Sequence, residues 1–491
     1  MEKKRRKKRS GRAGILFTIL VLCLLLILAV GKLRRSSGEE MLPEPEKVQQ
    51  SVPEEEKPTA EIPEETPEAE PGADPEAERA SFLPDYTSAP LLNTTAIKCL
   101  SMEVGSSAEE VRFNWLSPSA SKGAVLWKNA DTGETQTFEA KCTASTSMTG
   151  YYVNKASVTG LTPGTSYTYQ VGNEDAWSPE YAYRAPEASG NNLTFLVTSD
   201  AQVGQSEIED PKTTAERWDS VLTRLTGYVP EAKFLFHLGD QVADFGSAEH
   251  YDLFLDHLAL YRIPLAPLVG NHDVANDYSI EENGHPGGPY FSEHFNVPNV
   301  SSVGQSQYDP TGDYYFIRDN VLFLVLNSNT NQPSEVHESY VAQIVAEHPE
   351  VQWRILAQHY PAYSGTKDSH TNSKEYLARI ASDNGIDLVL SGHDHAYSRT
   401  AFVNRDCETL NDYDYEPGDS ATNPEGTMYV TCGTSSGCLY HFREEEIRIV
   451  YQVDENEPIA MRIDITDQEL HLRTYLVDTW SLCDEYTIRK E

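Results

Sequence analysis

The chain has 491 residues, more than one ordinary hydrophobic core organises, so two or three folded units are expected. Its 39 lysines and arginines stand against 76 aspartates and glutamates, a net charge of −37. No basic stripe after the amino-terminal tail suits a polyanion, so no nucleic-acid partner is expected, and nothing in the residues specifies an oligomer.

The charge is unevenly spread. Residues 1–13 form a basic tail, and Gly14 to Gly31 is an uncharged run, apolar but for Thr18. Roughly 18 such residues span the hydrocarbon core as a helix. The apolar region of a cleaved signal peptide is shorter, roughly 7–15 residues, and here Lys32, Arg34 and Arg35 follow the run. The expectation is an uncleaved signal anchor over 14–31, a single pass through the cell membrane with the amino end cytoplasmic and the rest extracellular. Ala29-Val30-Gly31 leaves cleavage and secretion open. Residues 36–90 are rich in Glu, Pro and Ala and carry too little apolar surface to offset their ordering entropy, so they read as a disordered acidic stalk.

Of seven cysteines, Cys23 lies in the apolar run. The other six permit disulfides in an oxidising compartment, and Cys432 with Cys438, flanking Gly-Thr-Ser-Ser-Gly, is the best candidate for a local bridge, with two buried thiols as the alternative. None has the paired spacing of a structural zinc site.

Between residues 92 and 187 short alternating runs recur, Glu110 to Trp115, Gly123 to Trp127, Tyr151 to Val153 and Thr165 to Val171, separated by Gly, Pro, Ser and Asn clusters. That is the pattern of a small β-sandwich. Gly160-Leu161-Thr162-Pro163-Gly164-Thr165-Ser166-Tyr167 resembles the turn before a late strand of fibronectin type III-like domains. No ionisable cluster appears here, so the unit reads as a spacer or docking surface.

From 191 onward apolar runs alternate with helical patterns, the signature of a layered α/β domain. Strands are predicted over Leu193 to Thr198, Lys233 to Leu238, Ile263 to Val269, Tyr314 to Ile317, Val321 to Leu326, Val351 to Ala357 and Ile386 to Leu390. Helices are predicted over Thr214 to Leu225, Ala248 to Tyr261, Glu335 to Glu347 and Lys374 to Asn384. Later runs, Thr427 to Thr431, Ala460 to Ile465, Glu469 to Tyr475 and Tyr486 to Ile488, read as strands that finish the same domain, which extends to 491.

The ends of five of these strands carry reactive residues: Asp200 and Gln202; Asp240; Asn271, His272 and Asp273; His359; and His393 with His395 in Gly392-His393-Asp394-His395. In α/β sheets ligands bind beyond the carboxyl ends of the strands, where these residues are expected to converge. Carboxylate, amide oxygen and imidazole without thiolate form a donor set for a hard or borderline dication. Each residue alone reads as readily as a turn or packing residue; five such strand ends together do not.

The set, in this order, resembles the calcineurin-like metallophosphoesterases, most closely their purple acid phosphatase branch, over roughly residues 92–490. The resemblance implies an α/β (α+β) fold, a four-layer αββα sandwich preceded by the small β-sandwich. It implies two divalent or mixed-valence metal ions, Fe, Mn or Zn. Asp240 would bridge them, Asp200 and His395 would complete the first site, and Asn271, His359 and His393 would hold the second. A hydroxide shared by the metals would attack the phosphorus of a phosphate ester. His272 would stabilise the transition state or protonate the leaving oxygen, with Asp273 orienting it.

Two departures from the family pattern stand out. Gln202 occupies a position where His or Gly is usual, and it would supply an amide oxygen, bind substrate or shape the pocket. Ala243 stands where the purple enzymes have a metal-binding Tyr, so no tyrosinate-to-iron colour is expected. His370 is the nearest match to a second leaving-group histidine, its alternative being a solvated loop residue. Tyr363 and Arg399 are the remaining substrate-contact candidates, against packing for Tyr363 and pairing with a carboxylate for Arg399. The implied function is a surface phosphatase acting on phosphomonoesters. A phosphodiesterase or nucleotide hydrolase on the same site, or a non-catalytic surface adhesion module, are the alternatives.

Overall fold

A computed structural model describes residues 92, 96–187, 190–205, 211–276, 280, 284–366, 374–437, 446–453, 455 and 457–491, all within one compact unit. The apolar run 14–31 and the stalk lie outside the described residues. Among the described residues no helix is long and apolar enough to cross a membrane.

The strand Leu193–Thr198 starts the layered domain with the bounds its apolar run predicts. It pairs in parallel with Leu235–His237, which pairs in parallel with Leu265–Pro267. On its other side, antiparallel strands Ile459–Ile465, Glu469–Leu476 and Ser481–Arg489 extend the sheet. A second sheet runs in the order Tyr314–Arg318, Val321–Val325, Trp353–Ala357, Leu388–Ser391, Met428–Thr431, Tyr397–Thr400, Ile449–Val453. Its central strands are parallel, as their near-continuous apolar sequences require.

The two sheets face each other across an aromatic layer. Phe195 and Phe234 of the first meet Phe323 of the second edge-on at 5.3 Å, and Phe234 meets Phe316 at 5.5 Å. The pleat sends alternate residues of one strand to opposite layers. Val321, Phe323 and Val325 enter the inter-sheet core, whereas Leu322 and Leu324 pack in a separate cluster with Tyr340, Val341, Ile344, Leu377 and Ile380. Those partners belong to helices Ser334–Glu347 and Lys374–Asp383 on the outer face. Helices Pro211–Tyr228 and Ala248–Leu255 serve the first sheet, with Trp218 stacked on Phe254. The layers therefore run helices, sheet, sheet, helices.

The helix predicted to reach Tyr261 stops at Leu255. Its C-cap, Asp256, turns its carboxylate outward to accept from the Tyr261 hydroxyl at 2.6 Å and the Leu92 amide at 2.9 Å, contacts that sequence periodicity does not register.

The amino-terminal sandwich is not a spacer. Its strand Lys98–Val104 pairs in parallel with Leu265–Pro267 through Glu103 and Leu265, so its sheet and the first sheet of the layered domain are continuous, eleven strands in all. Four strands and a side strand, led by Ala124–Asn129 and Ser166–Asn173, close it. Glu293 reinforces the junction by accepting from the backbone amides of Thr146 at 2.7 Å and Ser147 at 2.9 Å, and from three nearby hydroxyls. Cys432 is a free, buried thiol rather than half of a local bridge; Cys438 lies outside the described residues.

Candidate metal centre

The predicted strand ends converge. Each loop turns sharply as its strand ends, and the backbone pays no attention to side-chain comfort there: Asp200, Gln202, Asp240, His393 and His395 all have positive φ, between 40° and 72°. Non-glycine residues in that region cost of order 1 kcal/mol or more each and persist where the surroundings over-determine them. Glycines allow the loops to close on one another. A Cβ on Gly270 would lie 2.1 Å from Asp240 Oδ1, and one on Gly392 would lie 2.1 Å from Ser199 Oγ and 2.8 Å from Asp200 Oδ2.

Two groups of donors result. In the first, His395 Nε2 lies 3.3 Å from Asp200 Oδ1, both side chains being buried. Asp200 Oδ2 accepts from the His393 amide at 2.9 Å and from the Ser199 hydroxyl. In the second, His359 donates from Nδ1 to the Leu238 carbonyl at 2.9 Å. That bond turns Nε2 inward, 3.1 Å from Asn271 Oδ1 and 3.3 Å from Asp240 Oδ2. One ligand atom each from Asp240, His359 and His393 lies within 4.8 Å of the others. Asp240 touches further elements as well: its Oδ1 accepts from the His272 amide at 2.7 Å and its Oδ2 from Gln202 Nε2 at 3.3 Å.

The electrostatics suit a cation. Burial works to raise the Asp240 carboxyl, but the neighbouring His359 and His272 hold it well below the usual carboxylate range. Burial likewise opposes the charged form of His359, yet Asp240 drives it up to about 10. The field around Asp240 thus favours positive charge in a buried site. The residues fit a metal: carboxylate, amide and imidazole donors converge, Asp200 Oδ1 is buried without a hydrogen bond, and the outer nitrogen of His359 is already tied to a carbonyl.

Other candidates fall elsewhere. Asp273 does not orient His272. Its carboxylate is buried and accepts from the amides of Gly270 and Asp240 at 2.8 Å and Gln241 at 2.9 Å, so it holds two ligand loops together. Burial pushes its carboxyl up to about 8. His272 is fixed instead by the Ala243 carbonyl, 2.9 Å from Nδ1; its Nε2 lies 4.0 Å from Asp240 Oδ2 and its side chain is 42% exposed.

Arg399 takes its alternative, pairing with a carboxylate. It is fully buried, bidentate to Asp484 at 2.7 and 2.9 Å, and donates to the Tyr415 carbonyl at 3.0 Å. Tyr363 packs in the outer core against Tyr429 edge-on at 4.9 Å, with Arg448 over its ring, away from the ligands. Gln202 is inside the site, 3% exposed. His370 lies outside the described residues.

The sequence reading missed two contributors. Tyr360 sets its ring edge-on to His393 at 4.7 Å, and its position directly after His359 was the available signal. Thr434, Ser435 and Ser436 strap the Asp200 loop: their hydroxyls donate to the carbonyls of Asp200, Ser199 and Ala201 at 2.7, 2.7 and 2.6 Å. The run of three hydroxyls after the strand Met428–Thr431 marked them.

Residues 193–397 match the calcineurin-like phosphoesterase family and residues 98–185 the purple acid phosphatase N-terminal domain. Among curated proteins the chain is similar to acid phosphatase type 7 of Danio rerio, 23% identical over 315 residues. That match takes in 58% of this chain and 65% of the relative, so the chain spans just under two thirds of the relative's length. Among solved structures it is similar to a purple acid phosphatase isolated from yellow lupin (Lupinus luteus) seeds, with a TM-score of 0.66 and 16% identity, covering 81% of this chain and 75% of that one. At that identity the likeness is one of fold. The chain thus carries a calcineurin-like phosphoesterase domain preceded by a purple acid phosphatase N-terminal domain, and the donor residues of both strand-end groups lie in the first of these.

Proposed function

We propose that the chain is a metal-dependent phosphatase that hydrolyses phosphomonoesters at a centre built for two metal ions. The convergence of Asp200, Asp240, Asn271, His359, His393 and His395 carries this reading. Asp240, which gathers with His359 and His393, would be shared by both ions; Asp200 and His395 would serve one ion, and Asn271, His359 and His393 the other. Metal ions held there supply Lewis-acid charge toward phosphate oxygens and lower the pKa of water.

The chain's own residues do the rest. The Ala243 carbonyl holds His272 Nδ1–H, so Nε2 is the atom that faces the site, and the doubly protonated ring would deliver its Nε2 proton to the departing oxygen and be left neutral. Asp273 and the hydroxyl strap keep the ligand loops in register and contribute no proton. The run 14–31 and the acidic stalk support an extracellular catalytic unit tethered to the cell membrane by its amino end.

The test uses the full chain purified in detergent, loaded with Mn, Fe or Zn, and assayed on phenyl phosphate and on a bis-aryl phosphodiester. Hydrolysis of the monoester, at least about 10²-fold weaker in His272→Ala, is the expected result. Preference for the diester would move the assignment to a phosphodiesterase. Full activity in the double variant Asp240→Asn, His272→Ala would sink the mechanism.

A further inference from the structure

We propose that a cleft beside the ligands receives the alcohol part of the ester and selects a singly phosphorylated, uncharged, hydroxyl-rich ring over substrates with additional phosphates. This rests on the phosphatase reading above. The cleft holds about 390 Å³, within the ~300–1,000 Å³ of small-molecule sites. It is joined to the centre on three sides. Tyr360, which forms one wall, sets its ring 4.7 Å from His393 and 5.5 Å from His359. Val274 to Asn276, on another wall, continue directly from His272 and Asp273. Asn329 donates from its side chain to the Val269 carbonyl at 3.0 Å, two residues before Asn271. An ester whose phosphate lies against the ligands therefore has this cleft next to it.

The lining is specific in what it offers. Asn276, Gln307, Asn329 and Asn331 supply amides, and Tyr308 and Tyr360 supply flat rings; no Lys, Arg, Asp or Glu lines the cleft among the described residues. Side-chain amides both donate and accept, which matches hydroxyl groups that do the same. Aromatic faces cover the apolar face of a ring. A second phosphate, by contrast, carries roughly −1.5 to −2 charges and binds well where Arg or Lys meets it. Here it would enter a cleft lined, among the described residues, by no Lys or Arg, in a chain of net charge −37. Nucleosides and hexoses share the favoured chemistry.

The experiment measures kcat/KM of the metal-loaded full chain on a hexose 6-phosphate, a nucleoside 5′-monophosphate, butyl phosphate, a nucleoside 5′-triphosphate and inositol hexakisphosphate. Butyl phosphate has an alkoxide leaving group of similar basicity but no ring. One of the two ring monoesters is expected to exceed butyl phosphate by about tenfold or more, the worth of one or two net hydrogen bonds, and which one identifies the ring. Both polyphosphates fall below it. In Asn331→Ala and Gln307→Ala the ratio of ring ester to butyl phosphate drops toward one, and Asn331→Lys raises the triphosphate relative to the monophosphate. Ring esters no better than butyl phosphate, a ratio unmoved in both alanine variants, or polyphosphates as good as monoesters would each overturn the assignment. Phenyl phosphate separates the two levels: if it is not hydrolysed the phosphatase reading falls and the cleft assignment with it, whereas if it turns over normally only the cleft assignment is at stake.

Discussion

His393 and His395 are two residues apart, yet they serve different partners. His393 gathers with Asp240 and His359, whereas His395 reaches Asp200 at 3.3 Å. Both have positive φ, which turns the backbone between them enough to separate the rings into two groups. His393→Ala is therefore expected to lose one metal position and His395→Ala the other. Metal counting with two spectroscopically distinct ions checks this, and equal loss of both ions in each variant would show that the two histidines share one site. Ala243 bears on a second property. Its carbonyl holds His272 and its side chain is a methyl group, so this position offers no phenolate to an iron. Iron-loaded protein is expected to lack a strong visible charge-transfer band; an intense band on iron binding would refute this. In Ala243→Tyr a band is expected to appear if the side chain reaches the iron.

At the scale of the element, the histidine loop depends on the strand that leaves it. Tyr397–Thr400 is wholly buried although its sequence is Tyr-Ser-Arg-Thr. What makes this tenable is Asp484 on the strand Ser481–Arg489, which accepts two bonds from Arg399 and one from the Tyr397 hydroxyl at 2.6 Å. Removing one partner of a buried pair leaves an uncompensated charge and typically costs about 3–5 kcal/mol. Arg399→Ala is expected to lose stability on that scale, read as the shift of a chemical denaturation curve, while Arg399→Met with Asp484→Leu recovers most of it. A loss below about 1 kcal/mol would mean the pair is hydrated. This strand also shows where sequence reading stops. The strands Leu193–Thr198 and Val321–Val325 were legible because burial on both faces gives an unbroken apolar run, and the reactive residues were legible because they follow such runs. Tyr397–Thr400 has no such run, since its burial is set by a carboxylate 85 positions away. The same limit hid the work of Asp273: a carboxylate next to a catalytic histidine looks like its partner, and only the fold shows it turned toward three loop amides. Helix Tyr290–His294, five residues long, is too short for a periodic pattern to announce it.

Across the whole molecule, the junction between sandwich and layered domain is a titrating structure. Glu103 lies where the two parts of the eleven-stranded sheet meet, paired with Leu265, and is fully buried. Burial pushes its carboxyl up to about 8 from an ordinary value of 4.5, against the pull of the Ser101 hydroxyl, Lys155 and Arg112. Lys155 is half-buried, donating to the Phe295 carbonyl at 2.8 Å, and the Tyr314 side chain also faces the carboxylate. Because the folded chain keeps this proton to a higher pH than the unfolded chain does, it binds more protons between pH 4.5 and about 8, and its stability falls as pH rises through that window. Glu103→Gln keeps the shape and removes the titration. The difference in Tm, wild type minus Glu103→Gln, is expected to shrink or change sign on going from the acidic to the alkaline end of this window, the contributions of all other groups cancelling in the subtraction. A difference that stays constant with pH would show that the Glu103 carboxylate is already charged in the folded protein at the acidic end, stabilised by Lys155 and Arg112. The welded junction would then rest on an ion network rather than on a neutral acid.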